Sequence, residues 1–200
     1  MAYSRFTRVL PIALILIISV IAVAALISLA RVIFFPGTSN DTAVVDTSRD
    51  ALVATSVEHS VRMTVRGPIV ADEAFRSYQF TITPASRQLV TYSGYLDSEV
   101  AKISLDNNVQ AYDEFVHALD KANLAKGEAF SGDKNDLRGI CATGQVTNFE
   151  IIDGEDIVKS LWTSTCNGSK GSLDANVEQL SQLFVNQIPD AQKTIKSIER

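Results

Sequence analysis

Histidine and cysteine are scarce in this sequence, with two of each among 200 residues. His59 stands at the start of a predicted strand, and His117 lies on the polar face of a predicted helix. Without His, Cys and Asp clustered at ligand spacing, a structural zinc site has no support. The chain also lacks the motifs of serine hydrolases, zinc proteases and phosphate-binding loops. The sequence therefore predicts no metal site, no cofactor and no recognisable catalytic residues.

Positive charge is sparse after the first few residues. Of the 18 Lys and Arg residues, Arg5 and Arg8 precede a long apolar run, whereas all 23 Asp and Glu residues follow it. The part of the chain beyond that run therefore has a net charge of −7. Nucleic-acid binding requires clustered positive charge, which displaces counterions from the phosphates. The sequence predicts neither a nucleic-acid partner nor binding to an anionic lipid surface.

Charged residues are absent from Val9 to Ala30, a run of 22 residues. At ~1.5 Å per residue, such a helix crosses the ~30 Å hydrocarbon core of a bilayer. A cleaved signal peptide is the alternative, but its apolar region usually has only about 7–15 residues. The pattern favours a single-pass signal-anchor, a transmembrane helix over residues 9–30 that contacts the lipid bilayer.

The flanking charges predict how this helix is oriented. Arg5 and Arg8 favour a cytoplasmic N-terminus over residues 1–8, although Arg31 on the far side reduces the asymmetry. The expected location is the cell membrane, with the C-terminal domain extracytoplasmic. We predict a linker over residues 31–50, the domain over residues 51–190 and a charged tail over residues 191–200.

The domain has the pattern of an α+β fold with a mostly antiparallel sheet. Alternating apolar residues or flanking turn residues predict five strands. Two helices with apolar stripes are expected to pack on one face of the sheet, which gives the order βββαββα. The first helix is predicted to start after Asn107 as N-cap, and the second to follow Ser172 and stop at Pro189. The predicted strands are Ser60–Arg66, Arg76–Thr83, Gln88–Ser93, Gln145–Ile152 and Glu155–Thr165.

Cys141 and Cys166 are predicted to form a disulfide because of the hairpin between them. If Asp153 and Gly154 are the two turn residues, Ile152 pairs with Glu155 and, eleven steps further, Cys141 faces Cys166. The expected Cα separation of ~4.5 Å suits a disulfide. A single β-bulge would offset the pair by one residue. Two free buried thiols in a cytoplasmic domain are the alternative.

Three stretches, RGPIVADEAFRSYQFTI, LRGICATG and LWTSTC, resemble small membrane-anchored envelope proteins of Saccharibacteria-type bacteria. The resemblance covers most of residues 55–190. It implies an envelope location and transfers no catalytic residue.

Two functions follow from the sequence. The first is a non-catalytic binding or envelope-assembly module, with another envelope protein as its candidate partner; the anchor, the acidic domain and the lack of catalytic motifs favour it. The second is a cell-envelope hydrolase that uses exposed carboxylates, because glycosidases need a pair of them. The candidate residues are Asp72 and Glu73, and Asp133 and Asp136 in the polar loop Ala125–Leu137.

Overall fold

The computed structural model of the chain describes residues 47–198, together with Ser19. The predicted transmembrane helix and the N-terminal segment before it lie outside the described residues, apart from Ser19. Among the residues that the structure describes, no helix is both long and apolar enough to cross a membrane.

Residues 47–198 form an α+β domain built on one six-stranded antiparallel sheet, as the sequence predicted in class. The strand order across the sheet is β4-β3-β2-β1-β5-β6. The strands are β1 (His59–Arg66), β2 (Arg76–Ile82), β3 (Ser86–Ser93), β4 (Ser98–Asp106), β5 (Val146–Asp153) and β6 (Asp156–Ser164). The helices are α1 (Ser48–Val53), α2 (Val109–Lys121), α3 (Val177–Val185) and α4 (Ala191–Ile198).

The core lies between one face of the sheet and the helices. Val61 and Met63 of β1 alternate with polar neighbours and are fully buried, since successive side chains of a strand point to opposite faces. Phe184 of α3 reaches the centre of this core, with its ring centroid 5.3 Å from that of Phe115 and 5.9 Å from that of Phe149. The predicted apolar stripe of α2 is confirmed, because Tyr112, Phe115, Val116 and Leu119 are all buried.

The strand count was wrong by one, because β4 was not predicted. This edge strand exposes Glu99, Lys102 and other residues to solvent, and only Ala101, Ile103 and Leu105 turn partly inward. Ala101, Ile103 and Leu105 nevertheless alternate with Lys102, Ser104 and Asp106, a strand pattern that the prediction missed. The observed strand and helix order is αββββαββαα, in place of βββαββα.

The ends of the chain segment also differ from the prediction. The predicted linker extends too far, because α1 begins at Ser48. The expected charged tail contains α4, in which Ala191, Ile195 and Ile198 are buried. Three apolar residues at helical spacing are enough to hold this short helix against the core, although most of its residues are polar.

Two predicted helix starts were wrong by a few residues. The N-cap of α2 is Asn108, whose side chain accepts a hydrogen bond from the Ala111 N–H. Asn107 instead donates from its side chain to the Thr83 carbonyl at 2.7 Å. The α3 helix begins at Val177 after the N-cap Asn176, and Leu173 before it lies in an isolated bridge.

The predicted register of the β5–β6 hairpin was wrong. Asp153 pairs with Asp156, so Gly154 and Glu155 are the turn residues. Gly154 has φ 61°, which a glycine adopts without strain. A register shift between Ile151 and Ile152 then moves the partner of Ile151 to Lys159. The shift is the β-bulge that the sequence argument could not place.

The register error also changes the expected cross-strand pairs. The predicted turn Asp153-Gly154 would place Phe149 opposite Val158 and Val146 opposite Leu161. In the structure, Phe149 lies opposite Leu161 and Val146 lies opposite Ser164. Trp162 pairs with Asn148, whereas Gln145 precedes the first residue of β5. Cys141 and Cys166 therefore lie outside the paired strands, in the loops that precede β5 and follow β6.

Candidate functional site

Four connections meet at one end of the sheet, which we call the disulfide end. They are the β1–β2 loop (67–75), the β3–β4 turn (94–97), and the segments 137–145 before β5 and 165–172 after β6. They lie together because the strands are antiparallel and their registers align, as the pairs Arg66–Ser77, Arg66–Val146 and Val146–Ser164 require.

The β1–β2 loop is attached to the β3–β4 turn by a small hydrogen-bond network. The Tyr95 hydroxyl donates to the Val70 carbonyl at 2.8 Å and accepts from the Val70 N–H at 3.0 Å. Asp72 accepts a hydrogen bond from the Tyr95 N–H at 2.7 Å. Gly94, at φ 74°, donates from its N–H to the Phe75 carbonyl. The two connections are therefore held as one surface.

This surface carries neighbouring exposed apolar side chains, which we call the end patch: Ile69, Val70, Tyr95 and Leu96. Leu96 is 91% exposed and Ile69 is 49% exposed. Single exposed apolar residues are ordinary, and the opposite end of the sheet has some, including Ile157. The end patch differs because three of its residues also border hollows: Val70 borders one, and Ile69 and Tyr95 border another.

The two hollows share the β1–β2 loop as a wall, since Gly67 lines both. The inner hollow has a volume of about 300 Å³, and its lining includes Val65, Val70, Tyr78 and Ile198. The outer hollow has a volume of about 230 Å³. Its lining consists of Arg66, Gly67, Ile69, Phe75, Tyr95, Leu137, Arg138, Gly139, Cys141 and Val146.

Arg66 contributes a positive charge to the outer hollow. Its guanidinium carbon lies 5.0 Å from the centre of the Phe75 ring, a cation–π contact. The Phe75 ring is stacked in turn with Tyr95, at a centroid distance of 4.1 Å. Among residues 47–198, no carboxylate lies within salt-bridge distance of the Arg66 guanidinium. The contact found for the Arg66 guanidinium is therefore a cation–π contact, and no ion pair among residues 47–198 involves it.

Arg76 in the inner hollow has a structural role. Its guanidinium donates to the carbonyl oxygens of Glu73, Phe75 and Ile198 and to the Ser93 hydroxyl. These bonds connect the β1–β2 loop to β3 and to the end of α4. The Arg76 guanidinium is therefore already hydrogen-bonded to neutral acceptors of the domain and holds these segments in place.

Cys141 and Cys166 are joined by a disulfide, with their Cα atoms 5.5 Å apart. Cys141 is buried and packs with Val146 and Trp162, and Leu137 is partly buried against them. Since Leu137, Cys141 and Val146 also line the outer hollow, the disulfide fixes one of its walls. The pairing agrees with the sequence-based expectation, although the register that led to it was wrong.

The four candidate carboxylates are all exposed, and two have structural partners. Asp72 is bonded to the Tyr95 N–H, as described above. The Arg138 guanidinium, at 2.9 Å, lowers the pKa of Asp136 to about 2. A general acid needs a raised pKa, so this shift has the wrong direction for acid catalysis by Asp136.

The two histidines have local partners. His59 Nδ1 lies 2.5 Å from the Ser56 hydroxyl, and its Nε2 lies 3.5 Å from Asp153. His117 lies 3.5 Å from Asp113, one helical turn earlier, and its side chain is half-exposed. Within residues 47–198 there is no group of three or more His, Cys, Asp or Glu residues that could hold a metal ion.

The residues of the end patch carry no sequence pattern that marks them as a site. Ile69 and Leu96 lie in short loops without an apolar repeat, and Arg66 is the last residue of β1. The β1–β2 loop and the β3–β4 turn lie side by side because β2 pairs with β3, with Arg76 opposite Ser93. A contact that depends on strand pairing leaves no local signal in the sequence.

No protein-family model matches this chain, and no curated protein matches it significantly. The resemblance to membrane-anchored envelope proteins therefore stays a prediction.

Proposed function

We propose that this chain is a non-catalytic binding or envelope-assembly module, held at the outer face of the membrane by its N-terminal helix. The disulfide end of residues 47–198 is its contact surface, and the partner is another protein of the envelope. The observation that carries the proposal is the end patch, in which Leu96 and Ile69 are exposed and three residues, Ile69, Val70 and Tyr95, border the two hollows. Exposed apolar surface of this kind is typical of interaction sites.

The rigidity of the surface supports a binding role. The hydrogen bonds between Tyr95 and Val70, and between Asp72 and Tyr95, hold the loops together before any partner arrives. The disulfide fixes the segment on the other side of the outer hollow. A preorganised surface loses less conformational entropy when it binds.

Two observations support the remaining parts of the proposal. A disulfide persists in oxidising compartments, which favours placing the domain outside the cytoplasm. Asp72, Glu73, Asp97 and Glu99 lie in or next to the loops of the end patch, and these negative charges disfavour an anionic bilayer surface as its partner.

In vivo photo-crosslinking tests the proposal. A photoreactive amino acid replaces Leu96 in one variant of the full chain and Ile157 in a matched control. Both residues are exposed and apolar, at 91% and 53%, but they lie at opposite ends of the sheet. We expect a discrete protein adduct from position 96 and none from position 157. Equal adducts from both positions, or none from either, would contradict the proposal.

A further inference from the structure

We infer that the outer hollow binds a bulky apolar side chain of the partner protein, and that Arg66 binds a carboxylate one or two residues from it. This inference rests on the proposed function and specifies the chemistry of the partner at the same surface. The volume of the outer hollow, about 230 Å³, is below the ~300–1,000 Å³ usual for sites that enclose a small-molecule ligand. The size therefore favours a single side chain.

The lining of the outer hollow indicates that an apolar side chain of the partner would enter it. Ile69, Phe75, Leu137 and Val146 present apolar surface from the β1–β2 loop, the segment before β5 and the start of β5. Burying an apolar side chain there removes hydrocarbon from water on both partners. The exposed Leu96, next to Tyr95, extends this surface beyond the hollow.

Arg66 indicates that the partner carries a carboxylate next to that apolar side chain. The cation–π contact with Phe75 holds the guanidinium over that ring, and the Phe75 ring is itself stacked with Tyr95. An oriented guanidinium can donate two parallel N–H bonds to a carboxylate, a geometry that a flexible ammonium group does not provide. No carboxylate of residues 47–198 lies within salt-bridge distance of Arg66, whereas the neighbouring Arg138 already has Asp136 as its partner. Arg66 is thus the charge in the hollow that is available to an incoming acidic residue.

A displayed library of random decapeptides, selected against the full-length chain in nanodiscs, tests the inference. We expect enriched peptides to carry Asp or Glu within two residues of a bulky apolar residue. The Arg66→Gln variant should bind them about tenfold more weakly, since a hydrogen bond to a charged group contributes ~1.5–3 kcal/mol. Arg66→Lys should retain part of the binding, and the control Lys102→Gln, on the exposed edge strand, should retain all of it.

Thermal unfolding of each variant, followed by the fluorescence of Trp162, checks that the substitutions leave the domain folded. Enriched peptides without acidic residues, or binding unchanged by Arg66→Gln, would overturn the inference. A selection that enriches no peptide would also overturn the inference. If the crosslinks from position 96 persist in that case, the binding function stands and only the inferred partner chemistry fails. If they are absent as well, both proposals fail.

Discussion

Removal of the disulfide by the double substitution Cys141→Ala and Cys166→Ala should destabilise the domain by about 3 kcal/mol. The two cysteines are 25 residues apart in the chain, and chain entropy predicts this cost for opening a loop of that length. The cost arises in the unfolded state, which becomes less restricted without the crosslink. An m-value of about 2 kcal/mol/M would lower the urea midpoint by about 1.5 M.

Trp162 makes this prediction measurable in the full-length chain. It is the only tryptophan of the protein, and it packs with Cys141 and Val146 beside the disulfide. Its fluorescence therefore reports the unfolding of this domain alone. Reductant should lower the midpoint of the wild-type protein in the same way and leave the double variant unchanged. A double variant with the wild-type midpoint would refute the reasoning.

Three further predictions concern the core and one ion pair. Phe184→Ala should destabilise the domain by ~3–5 kcal/mol in urea unfolding, because this fully buried ring fills the centre of the core, whereas Val109→Ala at an exposed position should change stability by less than ~0.5 kcal/mol. Burial raises the pKa of the Tyr112 hydroxyl, so above about pH 10 the unfolded chain loses this proton first and stability falls as the pH rises. In a series of unfolding curves at different pH, Tyr112→Phe should weaken this decline of stability with pH. An unchanged dependence of stability on pH in that variant would show that Tyr112 is not the cause. Arg138→Gln should raise the pKa of Asp136 from about 2 towards its ordinary range in an NMR titration, and no shift would show that Arg138 is not the cause.

The parts of the fold that could be predicted are those with strong local periodicity. Val61, Met63 and Val65 alternate regularly in β1, and the apolar stripe of α2 repeats at helical spacing. Both patterns arise because one side of the element is buried and the other is solvated. The edge strand β4 and the short helix α4 carry the same kinds of pattern over fewer residues, and the prediction did not assign them.

The candidate site could not be predicted because it depends on contacts between distant segments. The Tyr95 hydroxyl meets Val70, and Arg66 lies over Phe75, only after the sheet has formed. The disulfide also shows that a contact between distant segments is difficult to predict from local pattern. The predicted hairpin register places Cys141 opposite Cys166. The observed turn and the bulge at Ile151 give a different register, and the two cysteines meet in loops beyond the strands.

The most direct test of the binding surface is the adduct formed by a photoreactive residue at position 69 in two backgrounds. Leu96→Asp places a charge in the end patch, whereas Ile157→Asp places the same charge on an exposed apolar site at the opposite end of the sheet. We predict that Leu96→Asp reduces the adduct in intact cells to about a tenth or less, since a charge buried at an apolar interface without a partner is costly. Ile157→Asp should leave the adduct unchanged. An adduct from position 69 that survives Leu96→Asp, or that falls equally in both backgrounds, would contradict the account.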